Sequence, residues 1–269
     1  MKLMNIASGS SGNCTYVGTD DAAVLVDAGI SMKRVEAGLN SIDMTLKDID
    51  GIFITHEHSD HIKGLKAISR KYEIPIYLTE GTAQALIYSS VTKDIDTDLF
   101  TVIDSDGSME LRDLIINSHS ISHDAAEPVC YSFNNGSSKI SIATDLGIYD
   151  RELIEFLSDS DIILLESNHD VRMLETGPYP YYLKRRILGN RGHLSNETSG
   201  KLLKELLNDH LKAVILGHLS RENNFPELAY ETVRLEIADN PFTSDVRDFN
   251  LSVAKRDECD MIYYTNGNI

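Results

Sequence analysis

The sequence predicts an α/β protein built as a four-layer αββα sandwich, with two mixed sheets face to face and helices outside. Three observations predict it. Short apolar runs of strand length recur along the chain, and helical patterns separate many of them. The alternation of the first half gives way to a meander of strands and then resumes, which describes two α/β halves sharing one core. A length of 269 residues suits one large α/β domain or two small ones. No Pro/Gly/Ser-rich linker, repeat or low-complexity tract divides it, so residues 1–269 are read as a single domain.

Taken in order, Leu3–Ile6 reads as the first strand, and the small, glycine-bearing segment Ser8–Asn13 follows it. Ala23–Val26 and Gly51–Ile54 are the next strands; a helix follows over Ile62–Lys71. Strand Ile76–Leu78 leads to helix Ala83–Ser89. The meander comprises Leu111–Asn117, Cys130–Phe133 and Lys139–Ala143, with Asn134-Asn135-Gly136 as a hairpin turn between the last two. Alternation resumes with helix Arg151–Leu157, strand Ile162–Leu165, helices Tyr181–Leu188 and Glu197–Leu207, strand Ala213–Leu216 and helix Leu228–Ile237. Met261–Tyr264 is the last strand, and the stretch after Pro241 carries no distinctive signal.

Composition sets limits on function. No apolar run approaches the length of a membrane span, and Met1–Cys14 lacks the apolar stretch of a signal peptide. Cys14, Cys130 and Cys259 are widely separated and odd in number, which suits reduced thiols in a cytoplasm better than a disulfide framework. A formal net charge of −17 weighs against whole-surface binding to nucleic acid or anionic membrane, while leaving room for a local basic site. The oligomeric state has no signature in the sequence.

The chemistry is concentrated at Thr55-His56-Glu57-His58-Ser59-Asp60-His61, directly after an apolar strand. In an extended segment His56 and His58 point to one side, and a helix starting near Asp60 would aim Asp60 and His61 into the same space. Imidazole and carboxylate suit zinc, manganese or iron. Four more polar residues stand after or near strands: Asp27 after Val26, His123 after Ser122, Asp145 after Thr144 and His218 after Gly217. Open α/β sheets place their ligand crevices at such strand ends.

The order Asp27, H-x-H-x-D-H, His123, Asp145, His218 resembles the metallo-β-lactamase fold superfamily. Ser8-Gly9-Ser10-Ser11-Gly12-Asn13-Cys14, Glu166-Ser167-Asn168-His169-Asp170, Gly192-His193-Leu194-Ser195-Asn196 and Gly217-His218-Leu219-Ser220-Arg221-Glu222-Asn223-Asn224 are similar to the YycJ (VicX, WalJ) subfamily within it. The resemblance implies two divalent metal ions. His56, His58 and His123 would hold one, Asp60, His61 and His218 the other, and Asp145 would bridge them. Asp27 would hold the ligand loop in place. The cysteine that replaces the bridging Asp in some true β-lactamases is absent, which argues against antibiotic hydrolysis.

Two bridged metals can make hydroxide available near pH 7, a nucleophile that suits phosphodiesters, thioesters and lactams alike. Lys184-Arg185-Arg186 and Arg191 form the densest basic stretch, running into Gly192-His193. They read either as a phosphate-binding feature, with Arg185 and Arg191 touching substrate, or as a solvated helix face. In the related RNase J and tRNase Z nucleases an acidic residue and a histidine near the metals serve the scissile phosphate. Glu166 and His193 resemble that pair, His193 donating to phosphate or leaving group and Glu166 fixing its tautomer. A helix cap at Ser195 or Asn196, with His193 as a turn residue, is the alternative. Ser10 and Asn13 in the glycine segment, and His169, are further candidates for substrate contact, whereas His119 and His210 read as structural or exposed. The interval from Asp145 to His218 leaves no room for the inserted β-CASP domain of RNase J. The expected function is therefore a dinuclear-metal phosphodiesterase, a 5′→3′ exonuclease on DNA with a short footprint and Asp60 orienting the nucleophile. Two alternatives stand beside it: a glyoxalase II-like thioester or other small-molecule hydrolase, and a non-catalytic regulatory accessory.

Overall fold

A computed structural model describes residues 1–238 and 249–266, which form two seven-stranded sheets. The first sheet runs, in spatial order, β14 (Tyr263–Tyr264), β1 (Lys2–Ala7), β2 (Cys14–Gly18), β3 (Ala23–Val26), β4 (Gly51–Phe53), β5 (Ile76–Thr79) and β6 (Phe100–Ile103). The second runs β13 (Asn250–Val253), β12 (Ala213–Gly217), β11 (Ile162–Glu166), β10 (Lys139–Ala143), β9 (Val129–Asn134), β8 (Leu114–Ser120) and β7 (Ser108–Leu111). Strands β3 to β6 are parallel to one another, as are β10 to β13, and the remaining pairs are antiparallel.

Strand alternation sorts the core into layers. Leu3, Val24, Val26, Phe53, Ile140, Ile142, Leu164 and Ile215 face inward and fuse the two sheets. Their neighbours Met4, Leu25 and Ile52 face out beneath α1 (Met32–Asn40), α3 (Leu65–Tyr72) and α4 (Glu80–Tyr88). On the other side Ile163, Leu165, Val214 and Leu216 pack under α5 (Arg151–Leu157), α8 (Asn196–Leu206) and α9 (Pro226–Ile237). Strands buried on both faces read as continuous apolar runs for this reason. The αββα sandwich is the fold. Phe53 stacks on Tyr77 at 4.5 Å and meets Tyr131 edge-on at 5.6 Å, and the Tyr131 hydroxyl donates to the Ile54 carbonyl. The sheets are thus pinned together directly under the histidine-rich loop.

Several elements differ from the sequence reading. The strand expected over Leu111–Asn117 is met only from Leu114 onward, in β8; Leu111 ends β7, and Arg112-Asp113 form the hairpin turn between them, with Arg112 at φ +55°. The helix expected over Ile62–Lys71 is two, α2 (Ser59–Ile62) and α3, parted at Lys63-Gly64 where the chain closes on Ile30. Strands β2, β6 and β13, helix α1 and the short α6 (Val171–Thr176) were not foreseen. From Asp145 to His218 the chain is occupied by α5, β11, α6, α7 (Tyr181–Ile187), α8 and β12. Among the described residues no helix is long and apolar enough to cross a membrane, and all three cysteines are free thiols. Part of the stretch after Pro241 lies outside the described residues.

Candidate metal centre

The centre lies at the carboxyl ends of the parallel strands of both sheets. Asp27 follows β3, the His56–His61 loop follows β4, Asp145 follows β10, Glu166 ends β11 and His218 follows β12. Three of these residues break the strand in the same way: Asp27, Asp145 and His218 have φ of 61°, 63° and 55°. The left-handed region costs a residue other than glycine about 1 kcal/mol or more, so its repeated use marks positions where side-chain direction matters more than backbone comfort. Gly29 is required for the loop to close, since a Cβ there would lie 1.6 Å from the Asp60 carbonyl.

His56 Nε2, His58 Nδ1 and His123 Nε2 face one another, His58 Nδ1 standing 3.0 Å and 3.3 Å from the other two. Nitrogen donors around a tetrahedral zinc stand about 3.3 Å apart, so this trio already has ligand spacing. The outer nitrogens are fixed by neutral partners: Thr55 Oγ1 for His56 at 3.0 Å and the Gly192 carbonyl for His123 at 3.1 Å. Burial and the nearby imidazoles hold His56 well below its ordinary pKa, and burial lowers His123 as well.

The second group is acid-rich. Asp60 Oδ2 lies 3.6 Å from His61 Nε2 and 3.5 Å from His218 Nε2. Asp27 receives Thr55 N–H at 2.9 Å and faces His61 Nδ1 at 2.7 Å, so His61 must present Nε2 to the cavity. Glu166 does the same for His218, meeting its Nδ1 at 2.9 Å. Burial opposes charge on both imidazoles, yet the surrounding carboxylates raise His61 well above its usual value and His218 to about 10. Asp145 stands between the groups, Oδ2 at 3.3 Å from His61 and Oδ1 at 3.7 Å from His123. Against its burial, His218 and His61 keep its carboxyl well below the ordinary range.

The donor set fits divalent cations. Asp145 Oδ2 and His218 Nε2 are buried with no hydrogen-bond partner among the described residues. Each orphaned buried polar atom costs about 1–3 kcal/mol, a penalty that a cation in contact with both groups removes. Asp145, Glu166, His193 and His218 also converge within 4.8 Å. There, however, Glu166 Oε1 is shared between His193 Nδ1 and His218 Nδ1 while Oε2 accepts Leu146 and Leu194 N–H, which makes the cluster a hydrogen-bonded brace. Burial works against the Glu166 carboxylate, but the two histidines hold its pKa down at about 2.

Other expected site residues fall in different places. His193 Nδ1 meets Glu166 Oε1 at 2.8 Å, and its ring is 5.1 Å from that of His123. Ser195 Oγ accepts Thr198 N–H as the cap of α8, so cap and site share one loop. Asn13 Nδ2 reaches His61 Nε2 at 3.1 Å, while Ser10 is exposed at the tip of the turn before it. His169 is 1% exposed, its carbonyl accepts Asn196 N–H, and burial pushes its pKa down to about 4. Arg191 gives Nε to the His123 carbonyl and Nη2 to that of Ala125, bracing the ligand loop. Arg185 is exposed on α7. His119 stacks on Phe156 and pairs with Asp106, and His210 is exposed.

Sequence reasoning missed Thr55, whose hydroxyl touches Asp27, His56 and His61, because a threonine in a ligand loop carries no signal of its own. It also missed why three motifs travel together. Asn196 and Asn224 exchange side-chain amide bonds at 3.0 Å and 2.9 Å, Ser167 donates to Asn196, and Asn224 donates to the Ser167 and Asn168 carbonyls. Asn168 in turn donates to the His218 carbonyl at 2.9 Å. This buried network sets three loops in register around the metal ligands.

Comparison with known proteins agrees with the geometry. A family model described as "Beta-lactamase superfamily domain" matches residues 22–218. The chain is 40% identical over 237 residues to a Bacillus anthracis protein named exodeoxyribonuclease YycJ, covering 88% of this chain and 89% of that one. It is 39% identical to exodeoxyribonuclease WalJ of Streptococcus pneumoniae (D39), covering 88% of each. Among solved structures, the metallo-beta-lactamase fold protein YhfI of Bacillus subtilis superposes with a TM-score of 0.69 at 17% identity, over 97% of this chain and 98% of that one. The chain belongs to the beta-lactamase superfamily domain family, and it is a metal-dependent hydrolase of that family.

Proposed function

We propose that the protein is a cytoplasmic, dinuclear-metal phosphodiesterase that degrades DNA as a 5′→3′ exonuclease. The observation that carries the substrate class is the 40% identity, across nearly the full length of both chains, to a protein named exodeoxyribonuclease. The Glu166–His193 pair at 2.8 Å supports it, since a phosphodiester has a poor leaving group that benefits from a proton donor. His56, His58 and His123 would hold one cation, Asp60, His61 and His218 the other, and Asp145 would serve both. Zinc or manganese suits these donors, and iron is chemically compatible. When bound, the pair supplies Lewis acidity to the phosphate and lowers the pKa of a water that acts as nucleophile.

The chain's own residues do the rest. Asp60, partly open to the cleft, orients the nucleophile by accepting its proton. His193 gives Nδ1–H to Glu166, which leaves Nε2 as the nitrogen that can pass a proton to the leaving oxygen. Asn13 Nδ2, beside Asp60 and His61, is placed to donate to a phosphate oxygen. The thioesterase and accessory readings lack a comparable observation.

The test is to load the protein with manganese or zinc and supply end-labelled single- and double-stranded DNA and RNA, a thioester and bis-p-nitrophenyl phosphate. Stepwise shortening of DNA from the 5′ end is the expected result. Thioester turnover without DNA cleavage would overturn the proposal.

A further inference from the structure

Helix α7 carries the sequence Tyr181-Tyr182-Leu183-Lys184-Arg185-Arg186, and both tyrosines are 74% exposed. Two adjacent aromatic rings left in water have no role in the core, and such patches mark contact surfaces. Tyr181, Lys184, Arg185 and Leu188 recur at helical spacing and, with Glu175 and Gly189, line a groove of about 480 Å³.

The cations on this helix are not equivalent. Lys184 Nζ donates to the Glu175 carbonyl, and Arg186 engages the Asp124 carboxylate next to His123. Arg185 has no hydrogen bond or ion pair among the described residues and sits one turn beyond Tyr181. Tyr182 stands one turn before Arg186. The last turn of α7 runs straight into the site, because Ile187 accepts the His193 N–H at 3.0 Å and Gly192 packs so close that a Cβ would lie 2.1 Å from the Ile187 carbonyl. In a chain of net charge −17, three consecutive cations here create a local attraction for a polyanion. Exposed aromatic faces beside a free guanidinium fit bases released from pairing, since a paired base hides its face in the stack.

We infer that α7 is a stacking platform for the unpaired bases of the DNA strand entering the metal centre, with Arg185 holding that strand's phosphates. This rests on the DNA reading above and adds that the strand arrives separated from its complement. The platform binds bases without reading their identity, because every base offers a π face.

The experiment measures binding of a short, cleavage-resistant phosphorothioate oligodeoxynucleotide to the metal-loaded protein by fluorescence anisotropy. Tyr181→Ala and Tyr182→Ala should each weaken binding roughly 5- to 100-fold, and Tyr→Phe at either position should retain most of it. Abasic sites at the 5′ end should weaken the parent and abolish the difference between parent and alanine variants. Arg185→Ala should weaken base-bearing and abasic strands alike and reduce the salt slope by about 0.7. If the alanine variants bind both strands as the parent does, the platform is overturned, while 5′ shortening of DNA by the parent would still uphold the nuclease reading. If the parent neither binds nor cleaves DNA, both fall. If the substitutions alter only self-association in sedimentation, α7 is a contact between copies of the chain and the platform is overturned.

Discussion

The two halves of the metal centre are built on opposite electrostatic plans. The His56, His58 and His123 half consists of imidazoles whose outer partners are a hydroxyl and a carbonyl, and burial keeps His56 and His123 neutral. The Asp60, His61 and His218 half is backed by the carboxylates of Asp27 and Glu166, which raise the pKa of both imidazoles against their burial. A cation would compete with protons at His61 and His218 more than at His56 and His123. Asp145 faces both halves through its two carboxylate oxygens. What the difference teaches is that the two donor clusters of one centre need not share one electrostatic design. One half offers imidazoles backed by uncharged partners, and the other offers the negative charge that two proposed cations would need to sit close together.

Removing the shared group should erase the distinction. Asp145→Asn is expected to abolish turnover at every metal concentration, because its carboxylate faces both halves, and titrating the variant with manganese checks this. Parent-like turnover would remove Asp145 from the shared position.

His193 belongs to neither half, so its loss should leave them intact. His193→Ala should retain metal content and melting temperature while kcat on DNA falls about 10²–10⁴-fold. The deficit should shrink on bis-p-nitrophenyl phosphate, whose leaving group needs little protonation. An equal deficit on both substrates would make His193 a phosphate donor instead, and a destabilised variant with full activity per folded molecule would make it a turn residue.

The charged brace should matter most to the half it touches directly. Asp27→Ala is expected to weaken metal retention about 10–100-fold at the His61 half, with a smaller loss at the His56 half through Thr55. Competition with a chromogenic chelator resolves the two affinities. A smaller effect is expected of Arg191→Ala, which loosens the His123 loop and should raise the metal dissociation rate at the His56 half alone.

Much of this centre was legible because its chemistry and its backbone coincide. The H-x-H-x-D-H string sits at a strand end, and Asp27, Asp145 and His218 follow apolar runs at points where the chain must turn sharply. The αββα layering followed from strands that read as continuously apolar. The misses have physical causes. Strand β2 is short and buried throughout, so Cys-Thr-Tyr-Val-Gly shows no alternation. Strand β6 is an edge strand whose middle residues are exposed. The β7–β8 turn hides in Leu-Arg-Asp-Leu, where Arg112 adopts a left-handed conformation that its residue type does not announce. Arg191 was grouped with substrate contacts because charge in sequence cannot show that a guanidinium is already taken by two carbonyls. His169 stood in a site motif, yet the structure uses that segment to lock loops together.

The central claim is that two unlike halves each hold a cation, and metal counting tests it most directly. Elemental analysis of the gently purified, metal-saturated protein should give near two equivalents per chain. His61→Ala should fall to near one, as should His58→Ala, through loss from opposite halves. A parent stoichiometry of one that persists under saturation would contradict the account.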